Sequence, residues 1–176
     1  WRNLGHDEQL EWNALAKSVR SKRPPFNTNS HISGYNLFMS AYHGLACIGE
    51  ERVPEPRPIP DFPVVCLELE SAAVLNETDL QVSFRINGNT ISDRLRIIGK
   101  IQLTAPGYGC HRGKLRNHIG TINDDGQVIF TIRNYKDASG LDLNEYQMHL
   151  RYLLIDAESG HRSKEIITSS IVKVKM

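Results

Sequence analysis

Apolar residues recur with a helical period before residue 53 and with a period of two after residue 63. The two regions meet at VPEPRPIPDFP, Val53–Pro63, a segment that carries five of the eight prolines of the chain. Closely spaced prolines favour an extended polyproline II conformation and exclude a helix or a central strand. We therefore expect a helical extension over residues 1–52, a proline-rich strut over residues 53–63 and a β domain over residues 64–176.

The helical extension contains two short amphipathic segments, each with one apolar stripe. Asp7 is the predicted N-cap of the first helix and Ser33 that of the second, and Gly49 is predicted to end the second helix in a left-handed conformation. The stripe residues are Trp12, Leu15, Ala16 and Val19 in the first helix and Tyr35, Phe38, Tyr42 and Leu45 in the second. Because an isolated helix of this length is only marginally stable in water, the stripes must pack on another surface.

The region after the strut predicts seven β-strands. Six runs show the period of two, and a seventh, irregular strand falls within CHRGKLRNHIG, residues 110–120. About seven short strands in roughly 115 residues are typical of an immunoglobulin-like or fibronectin type III-like β-sandwich. A closed barrel is the alternative all-β architecture. The short strands and the uneven connections between them favour the sandwich.

Three shorter patterns predict local structure in the β region. Cys66 alternates with apolar neighbours in PVVCLELE, which favours burial of its side chain. The charged segment DAESGHRSKE, residues 156–165, is typical of a hairpin turn that stays in solvent. Val172, Val174 and Met176 alternate with lysines in the final strand. We expect this strand to close the sandwich within the chain, and its addition to a neighbour's sheet is the alternative.

The helical residues also carry a pattern of the form W-x-x-L, then W-N-x-L-A, then S-G-[YF]-N-L-F. In this chain the pattern falls on Trp1, Leu4, Trp12 to Ala16 and Ser33 to Phe38. It resembles a scattered group of uncharacterised bacterial and phage-associated proteins, in which a fibronectin type III-like β-sandwich follows the helices. The resemblance covers about a third of the chain and implies a small structural or surface-exposed protein without assigned catalytic residues.

The composition excludes several classes of partner. With 21 basic against 20 acidic residues the net charge is +1, which gives no general attraction to nucleic acid. No apolar run approaches the length of a membrane-spanning helix, so we expect no transmembrane segment. The chain begins at Trp1 without a visible signal peptide, which indicates a processed or truncated start. We expect the protein outside the cell, at the cell surface or in a virion.

The glycine-rich stretch GYGCHRGKLRNHIG, residues 107–120, is the richest cluster of reactive side chains. Its glycines and Lys114 suggest a phosphate-binding loop, but the P-loop spacing is not met, so we predict no nucleotide and no other cofactor. Cys110 and His111 are adjacent, and on an extended chain they point to opposite faces, so with His118 they predict no metal site. The flanking sequence shows no catalytic triad and no carboxylate pair, and we predict that the protein is not an enzyme.

These observations favour a structural protein that associates with itself into a homo-oligomer or polymer, as a subunit of a surface filament, an appendage or a virion. The predicted interface residues are Trp1, Trp12, Leu15, Tyr35, Phe38, Tyr42, Val172 and Val174. The alternative is an adhesion or binding module that recognises a surface protein or a glycan through sandwich loops such as the one around Gly107. An enzyme whose site assembles from distant loops is a third hypothesis.

Overall fold

The structure is a computed structural model that describes residues 1–20, 31–76, 78–135, 143 and 145–172. The fold is mainly β with two helices toward the N terminus, as the sequence predicts. The chain divides into two compact units. The helical unit comprises Trp1–Asp61 together with Ile155–Arg162, and the β unit comprises Phe62–Leu154 together with Ser163–Met176.

Helix α1 (His6–Ala16) begins earlier than the sequence predicts. Gly5, not Asp7, is the N-cap, and the carboxylate of Glu8 accepts the backbone N–H of Gly5 at 2.9 Å. A carboxylate in the first turn also interacts favourably with the positive end of the helix dipole. The Asp7 prediction is wrong because the reach of Glu8 back to the N-cap, which is half of a capping box, starts the helix before Asp7.

Helix α2 (Gly34–Cys47) has both ends as predicted. The hydroxyl of Ser33 accepts the backbone N–H of Asn36 at 3.2 Å, and Gly49 has the left-handed conformation with φ +82°. The buried residues of the two helices form one cluster, Trp12, Ala16, Leu37, Phe38 and Ala41. Each apolar stripe is therefore buried partly against the other helix, and this packing stabilises two helices that would be marginal alone.

The proline-rich segment contains neither helix nor strand. Up to Asp61 it belongs to the helical unit, and its first proline, Pro54, is buried. The carbonyl of Arg57 accepts the imidazole Nε2–H of His161 at 2.8 Å, and the guanidinium of Arg57 pairs with Glu158 at 2.9 Å. The segment is thus held inside this unit by a loop that is distant in sequence, a contact that the prediction of a separating strut does not include.

Residues 155–162, here called the tip segment, lie at the turn between the last two strands and belong to the helical unit. Ile155, Asp156 and Ser159 are 0% exposed, and His161 is 4% exposed. The prediction of a turn that stays in solvent is therefore wrong for most of this segment. A buried carboxylate needs hydrogen-bond donors, and the hydroxyl of Ser159 donates to the carboxylate of Asp156 at 2.5 Å.

The tip segment approaches helix α2 backbone to backbone. A Cβ on Gly44 would lie 1.9 Å from the carbonyl oxygen of Gly160, and a Cβ on Gly160 would lie 2.2 Å from the carbonyl oxygen of Ala41. Gly160 also has φ +74°, which residues with a side chain rarely adopt. Glycine is therefore required on both sides of this contact, and its absence would force the two backbones apart.

We expect Gly44→Ala to destabilise the helical unit by about 1–3 kcal/mol, because the new methyl group has no room. In an ordinary helix interior the same change stabilises the helix by up to about 1 kcal/mol. A loss of stability would therefore indicate the close backbone contact, and a gain would not. Urea unfolding of the full chain, followed by tryptophan fluorescence, would measure it, since both tryptophans lie in the helical unit. Gly113→Ala is the control, because nothing lies within 4 Å of a Cβ there. A Gly44→Ala protein as stable as the wild type would contradict the close approach.

In the described residues, seven strands form one antiparallel, barrel-like sheet in the order β1-β2-β5-β4-β3-β6-β7, and seven is the number that the sequence predicts. The strands are β1 (Val65–Leu75), β2 (Asp79–Gly88), β3 (Leu95–Thr104), β4 (Asn117–Ile122), β5 (Gln127–Ile132), β6 (Gln147–Asp156) and β7 (Ile166–Ile171). Strand β4 changes partner along its length. Its residues 117–120 pair with β3, and its residues 121–122 pair with β5.

The inner face of the sheet carries the core of the β unit. Its largest fully buried side chains are Phe84, Phe130, Leu80, Ile97, Met148 and Leu150. Strand β1 contributes Val65 and Leu67 to this core, whereas Cys66 is exposed and shares the outer face with Glu68. The prediction that Cys66 is buried is therefore wrong, because the alternation along β1 assigns the inner face to its two neighbours.

Tyr152 of β6 covers part of the open edge of β1. Its buried hydroxyl donates to the carbonyl of Val65 at 2.9 Å and accepts the N–H of Leu67 at 3.2 Å. The N–H of Asn89 bonds the carbonyl of Val64, so Val64 faces β2 and the alternate residues Val65 and Leu67 face away from it. The Tyr152 hydroxyl therefore occupies the backbone positions that a further strand would otherwise use.

We expect Tyr152→Phe to destabilise the β unit by about 1–3 kcal/mol, because it leaves one buried carbonyl and one buried N–H of β1 without their partner. Thermal unfolding followed by the circular dichroism of the β-sheet would measure the loss. Tyr108→Phe is the matched control, since Tyr108 is 67% exposed. Equal stability of the two variants would show that the Tyr152 hydroxyl does not secure β1.

Candidate functional site

The structure distributes the predicted interface residues between cores and surface. Trp12 and Phe38 are buried in the core of the helical unit, and Val172 is buried in the core of the β unit. Val174 lies outside the described residues. The remaining four residues reach the surface: Trp1 and Leu15 are half-buried, and Tyr35 and Tyr42 are exposed. A role in an interface stays a prediction, and the side chains available for one are the surface residues of the helical unit.

Three aromatic residues of helix α2 share one face, because their spacing of i, i+3 and i+7 brings them to the same side. Phe38 stacks on Tyr42 with ring centroids 6.2 Å apart, and Trp1 contacts the edges of both Tyr35 and Phe38 at 5.8 and 5.7 Å. Phe38 in turn meets the ring of buried Trp12 at 5.7 Å. The aromatic rings thus form a continuous series from the core to the surface.

The exposed end of this series is a patch that we call the aromatic surface, formed by Trp1, Tyr35, Met39 and Tyr42. Tyr35 is 48% exposed and Tyr42 is 40% exposed. A shallow depression of about 610 Å³ lies beside them and is lined by Trp1, Arg2, Asn3, Tyr35 and Met39. Tryptophan, tyrosine, methionine and arginine are the residues enriched in protein–protein interfaces.

The tip segment holds helix α2 from a second direction. The guanidinium of Arg162 donates to the hydroxyl of Ser40 at 3.1 Å, and the ring of His161 lies 6.2 Å from the ring of Trp12. These contacts add to the close backbone contact between Gly44 and Gly160. Helix α2, which carries most of the aromatic surface, is therefore held by packing and by hydrogen bonds.

The ring of His161 is buried and bonds the proline-rich segment. Because the Arg57 carbonyl can only accept a hydrogen bond, the Nε2 atom of His161 carries the proton. Burial lowers the pKa of His161 from its ordinary value of 6.5, although the Arg57 carbonyl and the charge of Asp156 act in the opposite direction. Protonation of His161 would place a charge in the core of the helical unit.

The glycine-rich stretch around Gly107 does not project freely from the β unit. Its backbone is held by two side chains on the outer face of β3. The amide oxygen of Gln102 accepts the N–H of His111 at 2.8 Å, and the hydroxyl of Thr104 donates to the carbonyl of Tyr108 at 2.8 Å. The stretch then forms a short 3₁₀ turn over Arg112–Lys114 and enters β4, so no helix follows the glycines as a dinucleotide site requires.

A small groove of about 210 Å³ lies between this stretch and the outer face of the β6–β7 pair. It is lined by Cys110, His149, Leu150, Arg151, Ile167, Thr168 and Ser169. Its two basic side chains have partners: the imidazole of His149 lies 2.9 Å from the Thr104 hydroxyl, and Arg151 pairs with Glu165 at 3.5 Å.

Sequence reasoning missed Gln102 and Thr104 as partners of the glycine-rich stretch, and His149 as a partner of Thr104. The sequence held part of the information, because side chains along β3 alternate between the two faces of the sheet. Gln102 and Thr104 fall on the face opposite the core. Polar side chains at positions that prove to be buried indicate that another segment covers them. The sequence did not indicate which segment that is.

Comparison of the chain with models of known protein families finds no match, and no curated protein sequence matches it. The likeness of the helical pattern to bacterial and phage-associated proteins therefore stays a prediction. Neither helix in the described part of the chain is long and apolar enough to cross a membrane. Within the same residues, no three His, Cys, Asp or Glu side chains are grouped so that they could hold a metal ion.

We expect the helical unit to lose stability as the pH falls below about 6.5, the ordinary pKa of histidine. The pKa of His161 is lowered on folding, so below that pH the unfolded chain binds more protons than the folded one, and protonation favours unfolding. His161→Gln keeps a donor for the Arg57 carbonyl but does not titrate.

Denaturation of both proteins between pH 7.5 and pH 5, followed by tryptophan fluorescence, would compare their free energies of unfolding. The wild type should lose more stability than His161→Gln over this interval. Burial also lowers the pKa of His118, but His118 lies in the β unit, which contains no tryptophan. Parallel curves for the two proteins would show that His161 is not the group that titrates.

Proposed function

We propose that this chain is a non-enzymatic structural protein that associates with copies of itself, as a subunit of a surface filament, an appendage or a virion. The observation that carries the proposal is the aromatic surface of the helical unit. Two tyrosines, a tryptophan and a methionine stand together on it, with Tyr35 and Tyr42 about half exposed. Exposed aromatic clusters of this kind mark sites of protein association.

The arrangement of the rings supports the same proposal. Phe38 anchors the patch by contacts with Trp1 and Tyr42 at the surface and with Trp12 in the core. Aromatic side chains have only two χ angles, so they provide a large contact area with little loss of conformational entropy on binding. A partner would therefore meet a surface whose main residues already have defined positions.

The proposal also includes a specific fold type for the β unit. The sheet divides into β1-β2-β5 and β4-β3-β6-β7 at the point where β4 changes partner. Three strands against four, with crossing connections between the groups, support a fibronectin type III-like sandwich of the immunoglobulin kind. Such sandwiches recur in cell-surface proteins, in line with the extracellular or virion location that we propose.

A second candidate is a binding or adhesion module that holds a protein or a glycan beside the glycine-rich stretch. The groove between this stretch and the β6–β7 pair supports it, together with exposed Tyr108. It is the weaker candidate because His149 and Arg151, the two basic side chains of the groove, already bond to Thr104 and Glu165.

The double substitution Tyr35→Ala and Tyr42→Ala tests the proposed function. We expect the wild type to form larger species as its concentration rises, and the variant to shift that transition to at least about tenfold higher concentration, since buried aromatic residues dominate such interfaces. Analytical ultracentrifugation over a concentration series measures the shift. Tyr108→Ala is the control, because it removes an exposed tyrosine from the β unit.

Two outcomes would contradict the proposal. A wild-type chain that remains monomeric at every accessible concentration would remove self-association altogether. Association that Tyr108→Ala abolishes and the helical variant leaves intact would place the interface at the glycine-rich stretch and favour the second candidate. Trp12→Ala is not suitable for this test, because Trp12 is 0% exposed and its loss would unfold the helical unit.

A further inference from the structure

The two outermost strands of the sheet differ in how their open edges are occupied. The edge of β1 is covered at Val65 and Leu67 by the hydroxyl of Tyr152. Strand β7 pairs with β6 on one side, and no other strand in the described part of the chain pairs with its opposite side. An open edge exposes backbone N–H and C=O groups that can pair with another chain.

The hydrogen bonds of Val172 show which residues of β7 expose these groups. The N–H of Val172 bonds the carbonyl of Tyr146, and its carbonyl accepts the N–H of Glu145, so Val172 faces β6. Backbone groups of successive residues in a strand point to opposite sides. The backbone groups of Ile167, Ser169 and Ile171 therefore point to the open edge.

The side chains of the same three residues lie on the outer face of the sheet. They pair across the strands with Arg151, His149 and Gln147, whereas the core residues Met148 and Leu150 alternate with these. Ile167 and Ile171 are each 62% exposed, although isoleucine is among the residues most often buried.

Within its bounds β7 has none of the side chains that usually protect a sheet edge, and the lysines of the final run, Lys173 and Lys175, come after it in the sequence. Its sequence, IITSSI, contains no charged residue, no proline and no glycine, and it is rich in β-branched side chains. Natural edge strands commonly carry a lysine, a proline or a bulge that prevents pairing with other chains. The strand Ile166–Ile171 instead carries two exposed isoleucines and no charge.

We propose that β7 pairs antiparallel with β7 of a second copy of this chain, about a two-fold axis that passes through Ser169. In this register Ile167 of each copy lies opposite Ile171 of the other, and the two Ser169 residues face each other. The residues in register all direct their backbone groups to the edge, so about six backbone hydrogen bonds can form. The two isoleucine pairs lie on one face, where directly opposed β-branched side chains stabilise a sheet.

This inference rests on the proposed self-association but assigns it a surface other than the aromatic one. A two-fold pairing of β7 is isologous and by itself closes at a dimer. The aromatic surface belongs to the helical unit and β7 to the β unit, so the two contacts would use different residues. One two-fold contact at β7 and a second contact at the aromatic surface would together build an open chain of subunits.

The test uses the full chain in two backgrounds, the wild type and the Tyr35→Ala, Tyr42→Ala variant. Ile167→Lys with Ile171→Lys places lysine opposite lysine across the axis, and like charges in that position oppose pairing. The matched control is Ile119→Lys with Ile122→Lys, because these isoleucines of β4 are 47% and 43% exposed. Ser169→Pro is a second variant, since it removes an N–H that points to the open edge and none that bonds β6.

We expect the aromatic variant to stop at a dimer, and the two β7 variants in that background to raise the dimer dissociation constant at least about tenfold. The control should leave the dimer intact. Hydrogen exchange gives a second readout, because dimerisation should slow the amide exchange of Ile167, Ser169 and Ile171, whereas Thr168 and Ser170 already bond β6 and should change little.

Dimers that persist in both β7 variants, with unchanged exchange at Ser169, would overturn the inference and leave the proposed self-association standing. A wild-type chain that never associates would overturn both. Loss of the dimer in the control variant as well as in the lysine variant would show a general effect of charge, and would also overturn the assignment to β7.

Discussion

The close approach of helix α2 to the tip segment is the contact on which the helical unit depends. Each helix is too short to be stable alone, and the two together bury one small cluster. Gly44 and Gly160 allow the backbones to meet with no side chain between them, and next to this contact Arg162 bonds Ser40 and His161 bonds Arg57. The unit is therefore assembled from two parts of the chain that are far apart in sequence.

This arrangement gives the turn between β6 and β7 a role that its composition does not indicate. A charged hairpin turn usually lies in solvent, where its backbone groups bond water. Here Asp156 and Ser159 bond each other out of contact with solvent, and His161 bonds the proline-rich segment. The helical unit includes this turn, so its formation requires a contact between residues that are far apart in sequence.

The parts of the fold that were predicted correctly depend on local patterns. The period of two located six of the seven strands, and the cap at Ser33 and the left-handed Gly49 fixed the ends of α2. Cys66 was assigned to the wrong face, although Glu68 and Leu67 in the same strand contained the information that decides it.

The remaining errors have a different origin. No pattern within residues 155–162 signals burial, because the partner that covers them, helix α2, lies at the other end of the sequence. The same holds for the candidate surface: the stripe of α2 was recognised, but which of its rings become core and which stay exposed follows from the packing of Trp12 on Phe38. Sequence periodicity defines a face, whereas tertiary contacts decide how much of that face is left for a partner.

The buried indole of Trp12 shows how core and surface are related in the helical unit. Its Nε1 atom is the buried side-chain nitrogen for which the described residues supply no hydrogen-bond partner, and such a group costs about 1–3 kcal/mol. A phenylalanine would avoid this cost, but its smaller ring would fill less of the space between Phe38 and His161. Since Phe38 supports both Trp1 and Tyr42, loss of contact beneath it would loosen the rings above. The size of Trp12 thus maintains the order of the exposed aromatic residues, and a surface that is ordered before binding loses less entropy when a partner arrives.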